Sequence, residues 1–555
     1  MSREQKEWTI YVVLLLAALT FRVGLARFLP NDDPYDGKVY AQLARNLLER
    51  HVYSHSPEPP YEPSIIRLPG YPLLLAGIYS LFGHGNNAAA RVVQGVIDTA
   101  SCALVALIAF QWGLEAKQRR TAAIAGLALA AACPFTAIYV AAILTETATV
   151  FLALAGCLCA TLAFQAASRK RAILLWSLTG LVAGLAVLFR PDSGLFAAAI
   201  GITLLAGPFM SAERAEEKRK PWSKLSRPVY LAAIFSVTFC LALVPWTIRN
   251  RRVFHLFQPL APAHAEMPGE FVPHGYLSWL RTWVESDRYI GPVLWSLDQQ
   301  PLKLDDFPAS AFDSQQEKQR VAALLEQYNN PSQSGAEAVA EGDENAPSMN
   351  PESEGDEGSS PDTTPSPDAS EPEEADDESE NSELGNQPTP EGEPQDVEMT
   401  PQIDAAFAQV AQERITRAPF RYYVRLPVRR ALSLWFDTHS QYYPFEGELF
   451  PLKDLDTELR QQIWLPLFAG LTWLYTLLGM AGAWILWRSR GAAARRWVLL
   501  TALIILLRLG FFSTLENPEP RYVVVLFPFL SIMGGIAISY LLHAIKRFRP
   551  HIGNR

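Results

Sequence analysis

The chain has 555 residues, of which 49% are hydrophobic, and its formal net charge at pH 7 is −9. That acidic balance comes from one stretch: residues 331–400 hold 22 of the 57 acidic residues and contain no lysine, arginine or aromatic residue. The rest of the chain carries 48 basic residues against the remaining 35 acidic ones, so an acidic folded protein is excluded. No nucleic-acid partner is expected.

Apolar segments long enough, or nearly long enough, to cross a bilayer recur along the chain. The hydrocarbon core requires about 20 consecutive helical residues. The sequence therefore predicts an all-α polytopic membrane protein with about ten transmembrane helices. The predicted spans are 8–29, 87–113, 120–140, 143–166, 172–190, 193–210, 229–247, 465–487, 497–514 and 521–544.

Residues 30–86 form the loop between the first two predicted spans. From Asp36 onward, apolar residues between Tyr40 and Leu48 recur at helical spacing, with polar residues on the opposite face. This pattern is typical of an amphipathic helix in the headgroup plane. Residues 71–82 are apolar but too short to span, and they predict a second surface helix in the same loop.

Basic residues concentrate in alternate gaps between the spans. Short cytoplasmic loops carry an excess of lysine and arginine, so these gaps and both termini are predicted to be cytoplasmic, in a cell inner (plasma) membrane. The first loop and the long segment 248–464 then lie outside. The basic gaps are 117–120, 169–171, 214–227, 488–496 and 546–549.

The predicted parts of the chain follow from these spans. The stretch 331–400 cannot bury enough apolar surface to offset chain entropy, so it is predicted to be a disordered acidic insertion. Residues 402–417 and 420–436, after it, are predicted to be helical, with a proline between them. The predicted parts are an N-terminal transmembrane module 1–247 whose first loop bears the site, an external segment 248–464, and a C-terminal transmembrane module 465–555.

Charged residues also lie at the outer ends of several spans, where the positive-inside rule does not predict them. Charge at membrane depth is costly and usually faces a protein interior or an aqueous cavity, which favours a shared functional site. Scattered anchoring at the interface is the alternative. The residues are Arg91, Glu146, Arg190 with Asp192, Arg249 with Asn250, Arg508, and Glu519 with Arg521.

Asp36 is the candidate reactive group because it stands at the N-terminus of the first-loop helix. A carboxylate there accepts backbone N–H bonds, which keep it ionised, the form that a general base requires. A helix cap without catalytic role explains the position equally well. Asp32 and Asp33 are nearby alternatives, either as the base or as loop acids that bind a metal or a sugar.

Arg67 opens the proline-rich turn Arg-Leu-Pro-Gly-Tyr-Pro that follows the first-loop helix. A planar guanidinium suits bidentate contact with a phosphate. An arginine that meets ordinary lipid headgroups is the alternative.

Together these motifs resemble the GT-C superfamily of polyprenyl-phosphate-sugar-dependent glycosyltransferases, especially the protein O-mannosyltransferases and the bacterial aminoarabinose transferases of lipid A. In those families an Asp four residues before a Tyr opens the first external helix, as Asp36 and Tyr40 do here. A basic residue precedes a proline-rich turn, as Arg67 does. The other matching motifs are Thr145-Glu146, Arg190-Pro191, the PWxxRN motif at 245–250 and the ExRY motif from Glu519 to Tyr522.

The chain departs from the family pattern at two positions. Many members have Asp-Glu at the reactive position, whereas this chain has Asp36-Gly37. The aminoarabinose transferases have lysine where this chain has Arg67, which preserves the charge and changes the geometry.

The resemblance implies transfer of a sugar from a polyprenyl-phosphate donor to a glycan, lipid or protein acceptor on the external, periplasmic face, with inversion. It implies Asp36 as general base and Arg67, Arg249 and Arg521 as ligands of the donor phosphate. Use of a divalent metal is left open. Further residues expected to line the cavity are Asp33, Tyr40, Arg91, Glu146, Arg190, Asp192, Asn250, Glu519 and Tyr522.

Two other classes of protein compete with a transferase. A membrane transporter or flippase for a lipid-linked or anionic substrate calls for charges near mid-bilayer and repeated halves, whereas these charges gather at one face. An assembly scaffold is the third possibility, in which the acidic insertion recruits partners.

Overall fold

The computed structural model describes most of the chain. Within the described ranges 76% of the residues are helical and none forms a strand, which confirms the predicted all-α polytopic class. The predicted disordered insertion lies outside these ranges except for its last four residues, and Asp32 also lies outside them. The described residues are 3–29, 33–210, 221–330, 397–438, 440–443, 445, 447–450, 452, 459–489 and 491–548.

The N-terminal half of the described chain is mainly helical, with an irregular segment of 19 residues between α2 and α3. Their bounds are α1 Arg3–Phe28, α2 Tyr35–Arg50, α3 Gly70–Phe82, α4 Asn87–Trp112, α5 Ala116–Ala132, α6 Pro134–Ala137, α7 Glu146–Phe164, α8 Arg169–Phe189, α9 Gly194–Ala206 and α10 Pro221–Phe254.

The remaining helices include three short pieces and are separated by longer irregular segments, such as residues 255–273. Their bounds are α11 His274–Leu280, α12 Gln315–Asn329, α13 Pro401–Arg417, a π-helical turn Arg421–Arg425, α14 Leu426–Phe436, α15 Leu459–Arg488, α16 Ala492–Phe512, α17 Arg521–Val524 and α18 Phe527–Phe548.

Among the described residues, seven helices are long and apolar enough to cross a membrane, or eight with a bent pair counted as one span. This count rests on length and composition alone, and further apolar helices fall on the other predicted spans. Helix α9 has only 13 residues, and every 18-residue window of α16 contains Arg495, Arg496 and Arg508. Length leaves α9 out of this count and charge leaves α16 out, although both helices fall on predicted spans.

The bent pair is the predicted span 120–140. Helix α5 ends at Ala132, and the chain continues from Pro134 to Ala141 at an angle of 50°. Proline has no backbone N–H and cannot continue the ladder of α5, so the break falls at its position. The redirected segment then leads to Glu146, the first residue of α7.

The two first-loop helices pack on each other and on the segment that precedes α7. Ala44 of α2, Tyr71 and Leu75 of α3, and Ile143 are each fully buried in one cluster. The predicted apolar face of α2 is therefore covered by protein. A side chain at Gly37 would lie 2.8 Å from the carbonyl oxygen of Ile143, so α2 approaches this segment more closely than a larger residue allows.

The described chain divides into two compact units, residues 1–290 with 408–555, and residues 291–407. The second unit centres on α12, whose Val321, Leu325 and Tyr328 are buried. In this unit the Tyr328 hydroxyl accepts a hydrogen bond from the backbone N–H of Asp298 at 2.7 Å, and the Asp298 carboxylate accepts one from Met399 at 2.8 Å.

A buried ion pair joins three helices of the first unit. The guanidinium of Arg22 in α1 donates to the Asp98 carboxylate in α4, and the two side chains are 0% and 3% exposed. Arg22 also donates to the carbonyls of Ala130 and Ala131, at the end of α5 (3.1 and 2.9 Å). Arg22 therefore supports the end of α5 just before the chain bends.

A second network holds the loop between α16 and α17. Arg281 donates to the Glu516 carboxylate at 2.7 Å, and His264 lies 3.6 Å from its other oxygen. Burial raises the pKa of Glu516, but the interactions with His264 and Arg281 outweigh it and lower the pKa to about 2. Glu516 therefore stays ionised and fixes the loop that leads to Glu519.

We predict that Asp98→Ala lowers the free energy of unfolding by about 3–5 kcal/mol, because it leaves the charge of Arg22 buried without its partner. The measurement is denaturant-induced unfolding of the purified protein in detergent. Ser101→Ala is the control: its buried hydroxyl bonds within its own helix, so the loss should be about 1 kcal/mol. Equal losses in the two variants would contradict the assignment.

We further predict that Glu516→Gln removes about 3 kcal/mol of stability at pH 7, because the folded protein lowers the pKa of Glu516 from its ordinary value of 4.5 to about 2. This stabilisation is complete above pH 4.5 and is lost as the pH falls through 2. Unfolding measured between pH 7 and pH 3 should therefore depend less on pH in the variant. Glu448→Gln, which breaks the exposed Arg288–Glu448 pair, should change stability by less than about 1 kcal/mol.

Candidate active site

Asp36 lies in the first turn of α2, and two guanidinium groups hold its carboxylate. Arg67 donates to one oxygen at 2.6 Å, and Arg521 donates to the other at 3.3 Å. These arginines lie 31 and 485 residues away in sequence. The helix cap itself is Pro34, which supplies no side-chain hydrogen bond. The described partners of the Asp36 side chain are therefore cations.

The electrostatics of this group favour the carboxylate form. Burial raises the pKa of Asp36, but the charges and hydrogen bonds of Arg521 and Arg67 outweigh it, so the net pKa lies below the ordinary value. The side chains of Asp36, Arg67 and Arg521 are 25%, 18% and 22% exposed. An ionised carboxylate between two cations is thus open on one side.

Arg67 is positioned by tight packing of its turn. The Tyr53 hydroxyl donates to the Arg67 carbonyl at 3.0 Å. A side chain at Gly70 would lie 2.7 Å from the carbonyl oxygen of Leu188, at the end of α8. Glycine therefore lets the turn rest directly on that helix end.

Arg521 is shared between Asp36 and Glu519. Its guanidinium donates to a Glu519 oxygen at 3.3 Å, and the Tyr522 hydroxyl donates to the same oxygen at 2.9 Å. The ring of Tyr522 lies under the guanidiniums of both Arg521 and Arg190, each 5.3 Å from its centroid. The ExRY motif therefore joins two groups of charges.

Arg190 and Arg508 hold the second group. Arg190 donates to Glu146 at 2.6 Å and to Asp192 at 3.2 Å. Arg508 donates to the other oxygen of Asp192 at 2.6 Å. Glu146 is only 2% exposed, and its second oxygen accepts no hydrogen bond from any residue that the structure describes. Four carboxylates and four guanidiniums thus form one network, which we call the charge cluster: Asp36, Glu146, Asp192, Glu519, Arg67, Arg190, Arg508 and Arg521.

Asp33 and Arg91 form a separate pair. Arg91 donates to one Asp33 oxygen at 2.7 Å, and Asn87 donates to the other at 2.7 Å. Both charged side chains are largely buried. Asp33 is therefore bound to the start of α4, and none of its described hydrogen bonds reaches the charge cluster.

Arg249 and Asn250, at the end of α10, lie beside the loop that carries Arg67. Arg249 donates to the carbonyl of Ser64 at 2.8 Å, and its guanidinium lies 5.4 Å from the ring centroid of Tyr53. Asn250 is fully buried and donates to the carbonyl of Gln258. Among the described residues no carboxylate pairs with Arg249.

Three tyrosines complete the surroundings, and the motif analysis identified only one of them. Burial raises the pKa of Tyr40 to about 12, and the charges of Asp36, Arg67, Arg190 and Glu146 also act on it. Tyr139 and Tyr442 pack edge to face, with 6.0 Å between their ring centroids. Both side chains interact electrostatically with Glu146 and Arg521. No motif marks Tyr442, because it lies in a loop that only the fold brings here.

No group of three or more histidine, cysteine, aspartate or glutamate side chains within the described part of the chain is arranged to hold a metal ion. The carboxylates of the charge cluster are instead paired with guanidiniums.

Residues 62–246 match the family described as dolichyl-phosphate-mannose-protein mannosyltransferase. No curated protein sequence matches the chain significantly. The matched range includes Arg67, Arg91, Glu146, Arg190 and Asp192, and it ends three residues before Arg249.

Several solved structures are similar at low identity. One is the oligosaccharyltransferase AglB of Archaeoglobus fulgidus with an inhibitory peptide and dolichol-phosphate, 14% identical, covering 100% of this chain and 53% of that one, with a TM-score of 0.46. The same enzyme tethered to an acceptor peptide is 14% identical, with 100% of this chain and 52% of that one covered and a TM-score of 0.48. ArnT of Cupriavidus metallidurans bound to undecaprenyl phosphate is 12% identical, with 96% of this chain and 77% of that one covered and a TM-score of 0.32.

The chain spans about half the length of the AglB chains that it resembles. At these identities and TM-scores the structural likenesses transfer no residue role or substrate. The family match covers about a third of the chain and confirms the predicted resemblance to the protein O-mannosyltransferases.

Proposed function

We propose that this chain is an integral-membrane glycosyltransferase that moves a sugar from a polyprenyl-phosphate donor to an acceptor on the external face of the inner membrane, with inversion at the anomeric carbon. Both termini are cytoplasmic in this proposal. The observation that carries it is the Asp36 carboxylate, ionised and held between Arg67 and Arg521 at a partly exposed position.

Asp36 acts as the general base in this reaction. An acceptor hydroxyl or amine attacks the anomeric carbon from the face opposite the lipid phosphate, and its proton passes to Asp36. The new glycosidic bond forms as the bond from the anomeric carbon to the phosphate oxygen breaks. The electron pair of that bond leaves on the lipid phosphate, so displacement from the opposite face inverts the configuration.

Arg67 and Arg521 stabilise the departing phosphate. Guanidinium groups aimed at the site where negative charge develops lower the barrier more in a water-poor cavity than in bulk water. Phosphate is a good leaving group, and these cations can therefore take the place of a general acid. The partial exposure of both side chains leaves room for phosphate oxygens beside Asp36.

Arg249 supplies a further cation for the donor. The charge cluster holds four carboxylates and four guanidiniums, so it is neutral before a phosphate enters. Arg249 lies beside the Arg67 loop, and its described hydrogen bonds go to carbonyl or amide oxygens. Its positive charge therefore remains to offset the incoming phosphate.

The proposed side of the membrane follows from the positions of these groups along the helices. Glu146 begins α7, Arg190 follows α8, Arg249 lies near the end of α10, and Arg508 lies near the end of α16. The basic loops occupy the opposite ends of these helices. By the positive-inside rule the cluster lies on the external side.

We predict that Asp36→Asn reduces transfer by about 10²–10⁴-fold, the usual contribution of a positioned general base. The assay supplies membranes with a labelled polyprenyl-phosphate sugar and measures labelled product. Glu49→Gln is the matched control, since Glu49 lies at the exposed end of the same helix and pairs with His84. Its activity should stay within twofold, an estimate of about 0.4 kcal/mol for an exposed group.

The variant Asp33→Asn tests whether Asp33, rather than Asp36, is the general base. Its carboxylate pairs with Arg91, so we expect lower thermal stability and a nearly normal turnover by the folded fraction. Near-normal turnover in Asp36→Asn together with lost turnover in Asp33→Asn would move the base to Asp33.

We predict that Arg67→Gln lowers kcat/KM for the donor by about 10²–10³-fold, because it removes a cation from the leaving phosphate. Arg67→Lys keeps the charge without the bidentate geometry, and its loss should be smaller, about tenfold. Initial rates at varied donor concentration give the comparison. Arg50→Gln, at the other end of α2, is the control, and an equal loss there would exclude a specific phosphate contact.

A further inference from the structure

The segment from Phe420 to Phe436 exposes an apolar strip although it belongs to the compact first unit. It comprises the π-helical turn and α14. Residues three to four positions apart share a helix face, so the exposed side chains form one strip. Their exposed fractions are 71% for Phe420, 67% for Tyr423, 44% for Val424, 53% for Val428 and 41% for Leu432.

The opposite face of this segment is fixed. Leu426, Arg430 and Leu434 are 2%, 2% and 0% exposed. The Arg430 guanidinium donates to the carbonyls of Val284, at 2.7 Å, and Arg281. Turning the apolar strip inward would break these buried hydrogen bonds, so the strip faces outward in the folded protein.

The end of α14 is packed against the side of a spanning helix. The ring of Phe436 stacks on Trp473 of α15 with centroids 4.3 Å apart, and the indole of Trp435 donates to the Thr476 hydroxyl at 3.0 Å. Thr476 lies 12 residues before Arg488, where α15 ends, or about 18 Å along the helix. The end of α14 therefore lies at hydrocarbon depth.

Exposed apolar surface continues beside this contact. On α15, Trp473, Leu474 and Leu477 are 47%, 46% and 57% exposed. Helix α14 also packs against α17, which begins with Arg521 of the charge cluster. The apolar strip therefore lies in the half of the membrane that contains the candidate active site.

Basic residues follow one side of the strip at one per turn: Arg421, Arg425 and Arg429. The guanidinium of Arg429 is occupied by the Glu285 carboxylate, with distances of 2.7 and 2.6 Å. Arg425 is exposed, and it precedes Phe436 by 11 residues, or about 16 Å of helix. The basic side therefore reaches the headgroup region while the end of the helix stays deeper.

We propose that Phe420–Phe436 is a lipid-docking helix: its apolar strip enters the outer leaflet, and the basic side, through Arg425, binds the phosphate groups of anionic phospholipids. Apolar surface with basic residues beside it is the composition of interfacial helices, and each arginine near an anionic surface contributes about 1 kcal/mol. The inference concerns a surface outside the charge cluster and goes beyond the proposed transfer reaction.

The depth of the docking helix in the bilayer can be measured on the full chain with a bimane label. Val428→Cys and Leu432→Cys are made in a background where the two less buried cysteines, Cys159 and Cys240, are replaced. In phosphatidylglycerol–phosphatidylcholine vesicles, brominated lipid should quench both labels and aqueous iodide should not. Val237→Cys, 59% exposed on the spanning helix α10, is the lipid-side reference, and Gln319→Cys, at an exposed position of α12, is the water-side reference.

Lipid choice is tested with bromines on one lipid at a time. At Val428→Cys we expect brominated phosphatidylglycerol to be enriched up to about fivefold over brominated phosphatidylcholine, relative to their bulk ratio. Arg425→Gln should remove most of this preference. Arg429→Gln is the matched control and should retain it, because its charge is already paired with Glu285.

Iodide quenching of Val428→Cys and Leu432→Cys at the level of Gln319→Cys would overturn the docking helix. Equal quenching by the two lipids would overturn the phosphatidylglycerol contact. Loss of the preference on adding a low mole fraction of polyprenyl phosphate would assign the surface to the donor lipid, which also contradicts the proposal. Thermal unfolding of each labelled variant checks its folding, and the exposed positions of Val428 and Leu432 should leave the midpoint unchanged.

Discussion

The ion pairs of Asp36 with Arg67 and Arg521 bring together three distant parts of the chain. A charge removed from water is tolerated only when it is paired and hydrogen-bonded, because desolvation costs several kcal/mol for each ion. The pairs therefore require the first-loop helix, its proline-rich turn and the start of α17 to meet at one point. The same requirement repeats for Glu146, Asp192, Arg190 and Arg508, which join α7, α8 and α16.

The sequence predicted the parts of this cluster more readily than their pairing. Charged residues at the outer ends of apolar segments are visible without a fold, since the membrane makes them exceptional. Which carboxylate meets which guanidinium depends on the packing of the helices. Asp33 and Asp36 are three residues apart, yet Asp33 pairs with Arg91, while Asp36 pairs with Arg67 and Arg521.

Other features carried no readable signal. Tyr442 approaches the cluster from an irregular loop, and nothing in its neighbours in sequence predicts that position. The Arg22–Asp98 pair falls within two segments that read as ordinary spans, because one charge changes the mean hydropathy of a span very little. The length of α9 was hidden for a related reason: hydropathy alone does not show that only 13 residues of the apolar run 193–210 form this helix.

The Asp36-Gly37 pair has a physical explanation in the packing of α2. A side chain at position 37 would meet the Ile143 carbonyl, so the Asp-Glu pair of many GT-C members does not fit here without movement of that segment. Three residues beyond Ile143, Glu146 brings a carboxylate into the charge cluster. A glutamate at position 37 is thus excluded by this close approach, and α7 supplies a carboxylate to the charge cluster through Glu146.

The low pKa of Asp36 has a consequence for how a transferase of this design would work. A carboxylate held by two guanidiniums is ionised but weakly basic, since the cations stabilise the charge that proton transfer removes. In the proposed reaction a donor phosphate competes for Arg67 and Arg521. As phosphate oxygens neutralise these cations, the pKa of Asp36 rises and its affinity for the acceptor proton increases. Donor binding would thereby activate the base, and Asp36 would remain a weak base while the donor is absent.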